Sequence, residues 1–232
     1  MSSAFRKRRT LAILILFISL IFVIIINSPS SVEIDAPTTN INKTVTSLAN
    51  DALDKLVVKS NTLKTSYSRE EFGADWVSVG GCDTRNIILN RDLLNAKVND
   101  KCEVMSGKLN DPYTGKIIDF TRGADTSGDV QIDHVVALSN AWQTGAQQFS
   151  SEERVSMAND PLELLAVDGK ANMEKSDGDA SIWLPSNKPF RCQYVARQIA
   201  VKQKYNLWVT RSEKDAIGSV LSKCPSQMLP SP

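Results

Sequence analysis

The chain of 232 residues has a single histidine, His134, and four cysteines, no two of which form a C-x-x-C pair. That scarcity argues against a zinc site, which needs clustered nitrogen and sulfur ligands, because the histidine is remote in sequence from every cysteine. An excess of positive charge is missing as well. The formal charge is +1, and setting aside Arg6, Lys7, Arg8 and Arg9 leaves −3 for the rest of the chain. A body of that sign is not a general polyanion binder, so any nucleic acid it handles must be held by a local patch or through a bound cation. No internal repeat is visible, and the length leaves no room for a second full domain. Residues 1–27 contain no acid at all.

What those residues do contain is the apolar run "LAILILFISLIFVIII", from Leu11 to Ile26, directly behind the four basic residues. The basic cluster orients the run with its N-terminus inside, so the rest of the chain is expected outside. As a helix the run spans about 24 Å at ~1.5 Å per residue, short for the roughly 30 Å hydrocarbon layer yet long for a signal-peptide core. Both a retained membrane anchor and a cleaved signal peptide stay open, and either gives an extracytoplasmic protein, membrane-anchored or secreted. Residues 28–50, rich in Ser, Thr, Asn and Pro, read as a flexible linker, and residues 51–232 as the folded domain. Cys82, Cys102, Cys192 and Cys224 all lie in the part expected outside, where disulfides persist. Of the three connectivities, the sequence-local pairs Cys82 with Cys102 and Cys192 with Cys224 are favoured.

The domain reads as α+β. A helix is expected near Ala52, then a Gly-punctuated loop leading into a helix capped by Asp83 or Thr84. Two strand-like runs flank the turn at residues 110–115. "VQIDHVVAL" is strand-like, residues 139–160 helical, "LELLAVD" a short strand and "GKANMEKSD" a brief helix. Two helices close the domain, the second capped by Thr210 or Ser212, and the tail after Cys224 is expected to be loose. The four tryptophans, Trp76, Trp142, Trp183 and Trp208, read as core.

Asp133 and His134 put a carboxylate and an imidazole on neighbouring residues, a combination suited to holding a hard cation while a base activates water. In a regular strand the two point to opposite faces, so convergence requires a strand end or a bulge. Asn172, in the first turn of the brief helix, offers an amide oxygen to a metal, and Lys175 lies three positions on along the same face, where it and the helix N-terminus would attract phosphate. Arg69, Arg85 and Arg122 are candidates for phosphate contact, though each has acids close by in sequence and could equally form a structural ion pair.

The order of these parts resembles the HNH endonucleases of the ββα-metal superfamily: a strand with Asp133-His134-Val135-Val136, an insertion, a short strand, and a helix bearing Asn172 followed by Lys175-Ser176-Asp177. With "GCDTRN", "DPYTG", "IDHVVALSNAW", "NDPLELLAVDGKAN" and "WLP", the chain looks like an exported bacterial branch related to the C-terminal domain of GmrSD-type restriction endonucleases, over about residues 65–225. The resemblance implies a single domain with a ββα-metal core surrounded by helices. It implies His134 as the general base and Asp133 and Asn172 as metal ligands; with only oxygen donors the ion is expected to be Mg2+ or Mn2+, and Lys175, Arg85 and Arg122 are expected on the substrate from their own chemistry. The middle position of the pattern, commonly asparagine, is Glu163 here; Asn159 could substitute for it, or Glu163 could orient the imidazole. The expected partner is nucleic acid, DNA ahead of RNA, besides the membrane through the N-terminal run. A binding module that keeps this fold without catalysis is the competing expectation.

Overall fold

The structure, a computed structural model, describes residues 47–230. The apolar run and nearly all of the expected linker therefore lie outside the described residues. Among the described residues no helix is long and apolar enough to cross a membrane. The first helix, α1 (Ala49–Lys55), takes in the last two positions assigned to the linker. A 3-10 turn (Arg69–Phe72) and a small ribbon, β1 (Ser78–Val79) with β2 (Cys82–Asp83), lead to α2 (Thr84–Asp92), which Asp83 caps by accepting the Asn86 N–H at 2.7 Å.

Next comes an antiparallel meander of β3 (Leu93–Val98), β4 (Val104–Asn110) and β5 (Ile117–Thr121). The runs on either side of the turn at 110–115 are β4 and β5, whereas β3 is a strand that the sequence pattern does not announce. The helical reading of residues 139–160 breaks into α3 (Leu138–Gln143), a 3-10 turn (Ala146–Gln148) and α4 (Ser151–Ala158). The interruption falls at Gly145, whose φ of +135° is open only to glycine without strain. A capping box between Ser150 and Glu153 starts α4. At the C-terminal end α6 (Arg191–Lys204) packs on α7 (Arg211–Leu221), which Thr210 caps.

The central unit is β6 (Val130–His134) paired antiparallel with β7 (Leu164–Asp168), followed without a spacer by α5 (Gly169–Lys175). Asp168 ends the strand and caps the helix, accepting from the Ala171 N–H at 2.8 Å. Gly169 is required: a Cβ there would stand 2.1 Å from the Gly128 carbonyl oxygen. That close approach lets the helix fold back onto its strands, and α5 contacts both.

This two-stranded ribbon divides two apolar cores. Val130, Ile132, Leu164 and Ala166 face Ile88 and Leu89 of α2 and Phe120 of the meander. Leu165 and Val167 face the larger core with Tyr113, Tyr194 and Ile199. The architecture is thus α+β with three small sheets. Both favoured disulfides are present, Cys82–Cys102 and Cys192–Cys224. The tail is not loose: the Ala49 N–H donates to Gln227 O at 2.9 Å and the Leu229 N–H to Ser47 O at 3.0 Å, tying it to the start of α1.

Behind α3, Lys202 is buried and donates to Asn140 Oδ1, Trp208 O and Glu213, so one ammonium pins α3, α6 and α7 together. Lys202→Met should strand the Glu213 carboxylate and cost about 3–5 kcal/mol in urea unfolding, while adding Glu213→Leu should recover most of the loss. Equal stability of the two variants would contradict this.

Candidate functional site

His134 ends β6, and the one-to-one pairing of Asp133 with Leu165 and His134 with Leu164 shows no bulge. The objection from strand geometry therefore stands: the carboxylate and the imidazole leave the ribbon on opposite faces. The imidazole lies on the α2 side, where it stacks on Trp76 at 5.7 Å between centroids and 7° between planes. Its Nε2 lies 2.9 Å from the Ala158 carbonyl oxygen. A carbonyl only accepts, so the neutral ring carries its proton on Nε2 and keeps a lone pair on Nδ1. Burial, then the charge of Arg69, and more weakly that of Lys175, lower its pKa to about 3, against a smaller upward effect of the Ala158 bond.

Asp133 faces the other way. Its Oδ2 accepts from the Tyr113 hydroxyl and its Oδ1 from Lys175 Nζ at 2.9 Å. Burial raises its pKa, with Lys175 and Tyr113 acting against the rise. Lys175 also donates to the His134 carbonyl at 2.8 Å, and its side chain is 0% exposed. Lys175 was expected on the substrate; instead α5 turns it inward, where it compensates the one carboxylate beneath the strand.

Asn172, one turn earlier on the same helix face, donates through Nδ2 to Gln131 Oε1 at 2.9 Å, and its Oδ1 accepts no bond from the described residues. Although Asp133 and His134 point apart, both line one cleft of about 490 Å³ along the edge of β6 that β7 leaves unpaired. Asn172, Gln131, Ser139, Lys64 and Arg69 line it too. Lys64 is ion-paired with Asp177 at 2.9 Å at its border.

The remaining expected residues fall elsewhere. Arg85 donates to Ser127 O and Val130 O and so brackets the start of β6. Arg122 donates to Val104 O and Asn86 Oδ1. Neither is among the residues that line the cleft, and both guanidinium groups are engaged with these oxygens. Glu163 is 0% exposed and accepts the Val136 N–H through Oε2 at 3.2 Å; the group that holds the imidazole is the Ala158 carbonyl, not Glu163. Burial raises the Glu163 pKa well above 4.5, which favours its protonated form. Asn159 accepts the Val77 N–H at 3.0 Å and donates to Val155 O at 2.9 Å, pinning the loop that carries Trp76 to the end of α4.

Sequence reasoning placed Trp76 in the core and passed over Tyr113 and Gln131. Their nearest signal was weak: a tryptophan after a Gly-containing loop, a tyrosine in "DPYTG", and a polar residue two before Asp133. Ser176, which closes α5 at the rim of the cleft, holds φ +50° and ψ −127°, a conformation strained for a residue with a Cβ.

Among the described residues no three His, Cys, Asp or Glu side chains cluster as a metal site. Asn172 Oδ1 is uncommitted and is a hard donor of the kind Mg2+ and Mn2+ take, whereas both Asp133 oxygens are occupied, Oδ2 by Tyr113 and Oδ1 by Lys175, so Asp133 could join an ion only by giving up one of those bonds. A cation there competes with the Lys175 ammonium for the same carboxylate.

Residues 83–220 match the family model described as GmrSD restriction endonucleases, C-terminal domain. The chain is similar to an uncharacterized secreted protein of Arthroderma benhamiae, 38% identical over 181 residues that make up 77% of this chain and 85% of the relative. The likeness thus extends to a fungal protein, beyond the bacterial branch expected from the sequence. No solved structure matches the chain.

Two stability measurements follow from the strained turn and the buried acid. Ser176→Gly should stabilise the fold by about 1 kcal/mol in denaturant titration by relieving the positive φ; a destabilised variant would mean that the serine side chain is needed there. For Glu163 the folded pKa lies above the ordinary 4.5, so the stability it lends is complete below that pH and is lost as pH rises through the folded value. Glu163→Gln should flatten the decline of Tm with rising pH, and a decline parallel to the wild type would show an ionised Glu163.

Proposed function

Because the chain belongs to the family of GmrSD restriction endonuclease C-terminal domains, we propose that it is an HNH-type nuclease, hydrolysing phosphodiester bonds of nucleic acid, DNA before RNA, in the cleft beside β6. The succession of β6, β7 and α5, packed on one another, supports a ββα core. The observation that carries the reading is His134: an imidazole neutral at physiological pH, fixed through Nε2 by a backbone carbonyl, at a cleft it shares with the uncommitted amide oxygen of Asn172.

In this mechanism His134 Nδ1 accepts a proton from water as the oxygen attacks phosphorus, and the bond from phosphorus to the 3′ oxygen breaks. The products are a 5′-phosphate and a 3′-hydroxyl. The Ala158 carbonyl steadies the ring and favours the imidazolium as it forms. Asp133, held by Tyr113 and Lys175, fixes the strand that presents the base. A Mg2+ or Mn2+ ion held by Asp133 and Asn172 would supply positive charge to the scissile phosphate and to the departing oxygen.

A pKa of about 3 makes the free imidazole a weak base, since general bases work best with a pKa near the operating pH. An anionic phosphodiester against the ring acts opposite to Arg69 and raises that pKa, so the base gains strength when substrate is bound. The two disulfides, the secreted relative and the apolar run behind a basic cluster, taken as anchor or export signal, support an extracytoplasmic location.

The full-length chain and His134→Ala, incubated with plasmid DNA and with RNA in Mg2+, Mn2+ or EDTA, test the assignment. The variant should lose at least about 100-fold in rate, and EDTA should abolish cutting. Equal cutting by both proteins would overturn the base, and binding without cutting under either metal would favour a non-catalytic module. The pH dependence is separately informative: the acid limb of kcat/KM, which reports free protein, should lie well below pH 5, and that of kcat at higher pH. A kcat/KM limb near 6.5 would contradict a buried, depressed imidazole.

A further inference from the structure

We propose that Arg69 is a catalytic residue that grips a non-bridging oxygen of the scissile phosphate beside His134. The inference rests on the nuclease reading and adds a group that lies before the segment matching the family, residues 83–220. Nothing in that match assigns it a role.

Arg69 opens the 3-10 turn Arg69–Phe72, and its side chain is exposed. It lines the cleft together with His134 and Asn172, and also a smaller cavity of about 230 Å³ bounded by Trp76, Ala158 and Asn159. It is therefore shared by the two spaces, one lined by the imidazole and the other by its stacking partner Trp76. Among the described residues Arg69 makes no ion pair and no side-chain hydrogen bond. The other cation at the cleft, Lys64, is already joined to Asp177. An unpaired guanidinium is the group whose planar fork matches phosphate oxygens in two directions.

The turn that offers it is anchored from behind. Arg154 of α4 donates to the Glu71 carbonyl and to Glu71 Oε2, each at 2.9 Å. Phe72 is buried against Tyr67 and Trp142. Gly73, at φ +98°, turns the chain sharply toward Trp76. A flexible exposed side chain on a fixed base costs little ordering when a phosphate arrives.

Arg69→Ala and Arg69→Lys in the full-length chain, assayed on plasmid beside wild type and His134→Ala, decide the matter. The alanine variant should lose about 100-fold in kcat/KM, the magnitude typical of one transition-state donor, and lysine should restore about a tenth of the wild-type value, lacking the fork. Added guanidinium should recover part of the rate lost in the alanine variant, a rescue that a merely structural residue would not show. Its Tm should stay within about 1 °C of wild type, as expected at an exposed site. Wild-type activity abolished by His134→Ala but unchanged by Arg69→Ala would overturn this inference and leave the nuclease reading standing. A wild type that cuts nothing would overturn both.

Discussion

The ammonium of Lys175, removed from water and shared between Asp133 Oδ1 and the His134 carbonyl, is the contact on which the arrangement of the site depends. A buried pair of this kind contributes little net stability, because desolvation consumes most of the Coulomb gain, but its geometry admits few alternatives. It joins the last turn of α5 to the end of β6. The first residue of the same helix, Gly169, is seated against Gly128 with no room for a side chain. Held at both ends, the seven-residue helix cannot rotate, and Asn172 between them is delivered to Gln131 and to the cleft. The strain at Ser176 is the local consequence of ending the helix where Lys175 must point inward and the chain must turn away at once.

Much of this was legible in the sequence, and the failures share a cause. The strand–strand–helix order around Asp133 and Asn172, the Asp83 and Thr210 caps, the turn at 110–115 and the local pairing of cysteines all rest on short-range rules, and all are present. Residue chemistry alone misled wherever the question was which way a charge faces. Lys175 lies on the same face as Asn172, as helical spacing requires, but that face is against a strand and not toward solvent. Arg85 and Arg122 satisfy carbonyls that no local pattern reveals, whereas Arg69 is left free. The role of Trp76 was invisible because its partner, His134, is 58 positions away and meets it only after Asn159 has tied the intervening loop to α4.

The charge of the body bears on how such a cleft could meet a polyanion. With −3 outside the N-terminal cluster there is no broad positive field to draw nucleic acid in. At the cleft Lys64 is paired with Asp177 and Lys175 beneath it with Asp133, so Arg69 is the cation there without a partner among the described residues. Binding through so few cations implies a shallow dependence on salt, since each neutralised phosphate contributes to the slope in proportion. Contact confined to one or two phosphates positions a strand without reading its bases, so the cleft by itself carries no sequence preference.

Glu163 is a buried acid for which the site has no cation to spare. An ionised carboxylate at a fully buried position, beside a second acid in Asp133, would need a cation of its own, and Lys175 is already engaged. Burial raises its pKa well above the ordinary carboxylate value and so favours the protonated form. Its Oε2 accepts the Val136 N–H, while Oε1 is buried without a hydrogen-bond partner among the described residues. The loop leaving His134 is thus held at Val136 through one oxygen of Glu163, and the other oxygen stays unsatisfied inside the fold, where a negative charge would be costlier still.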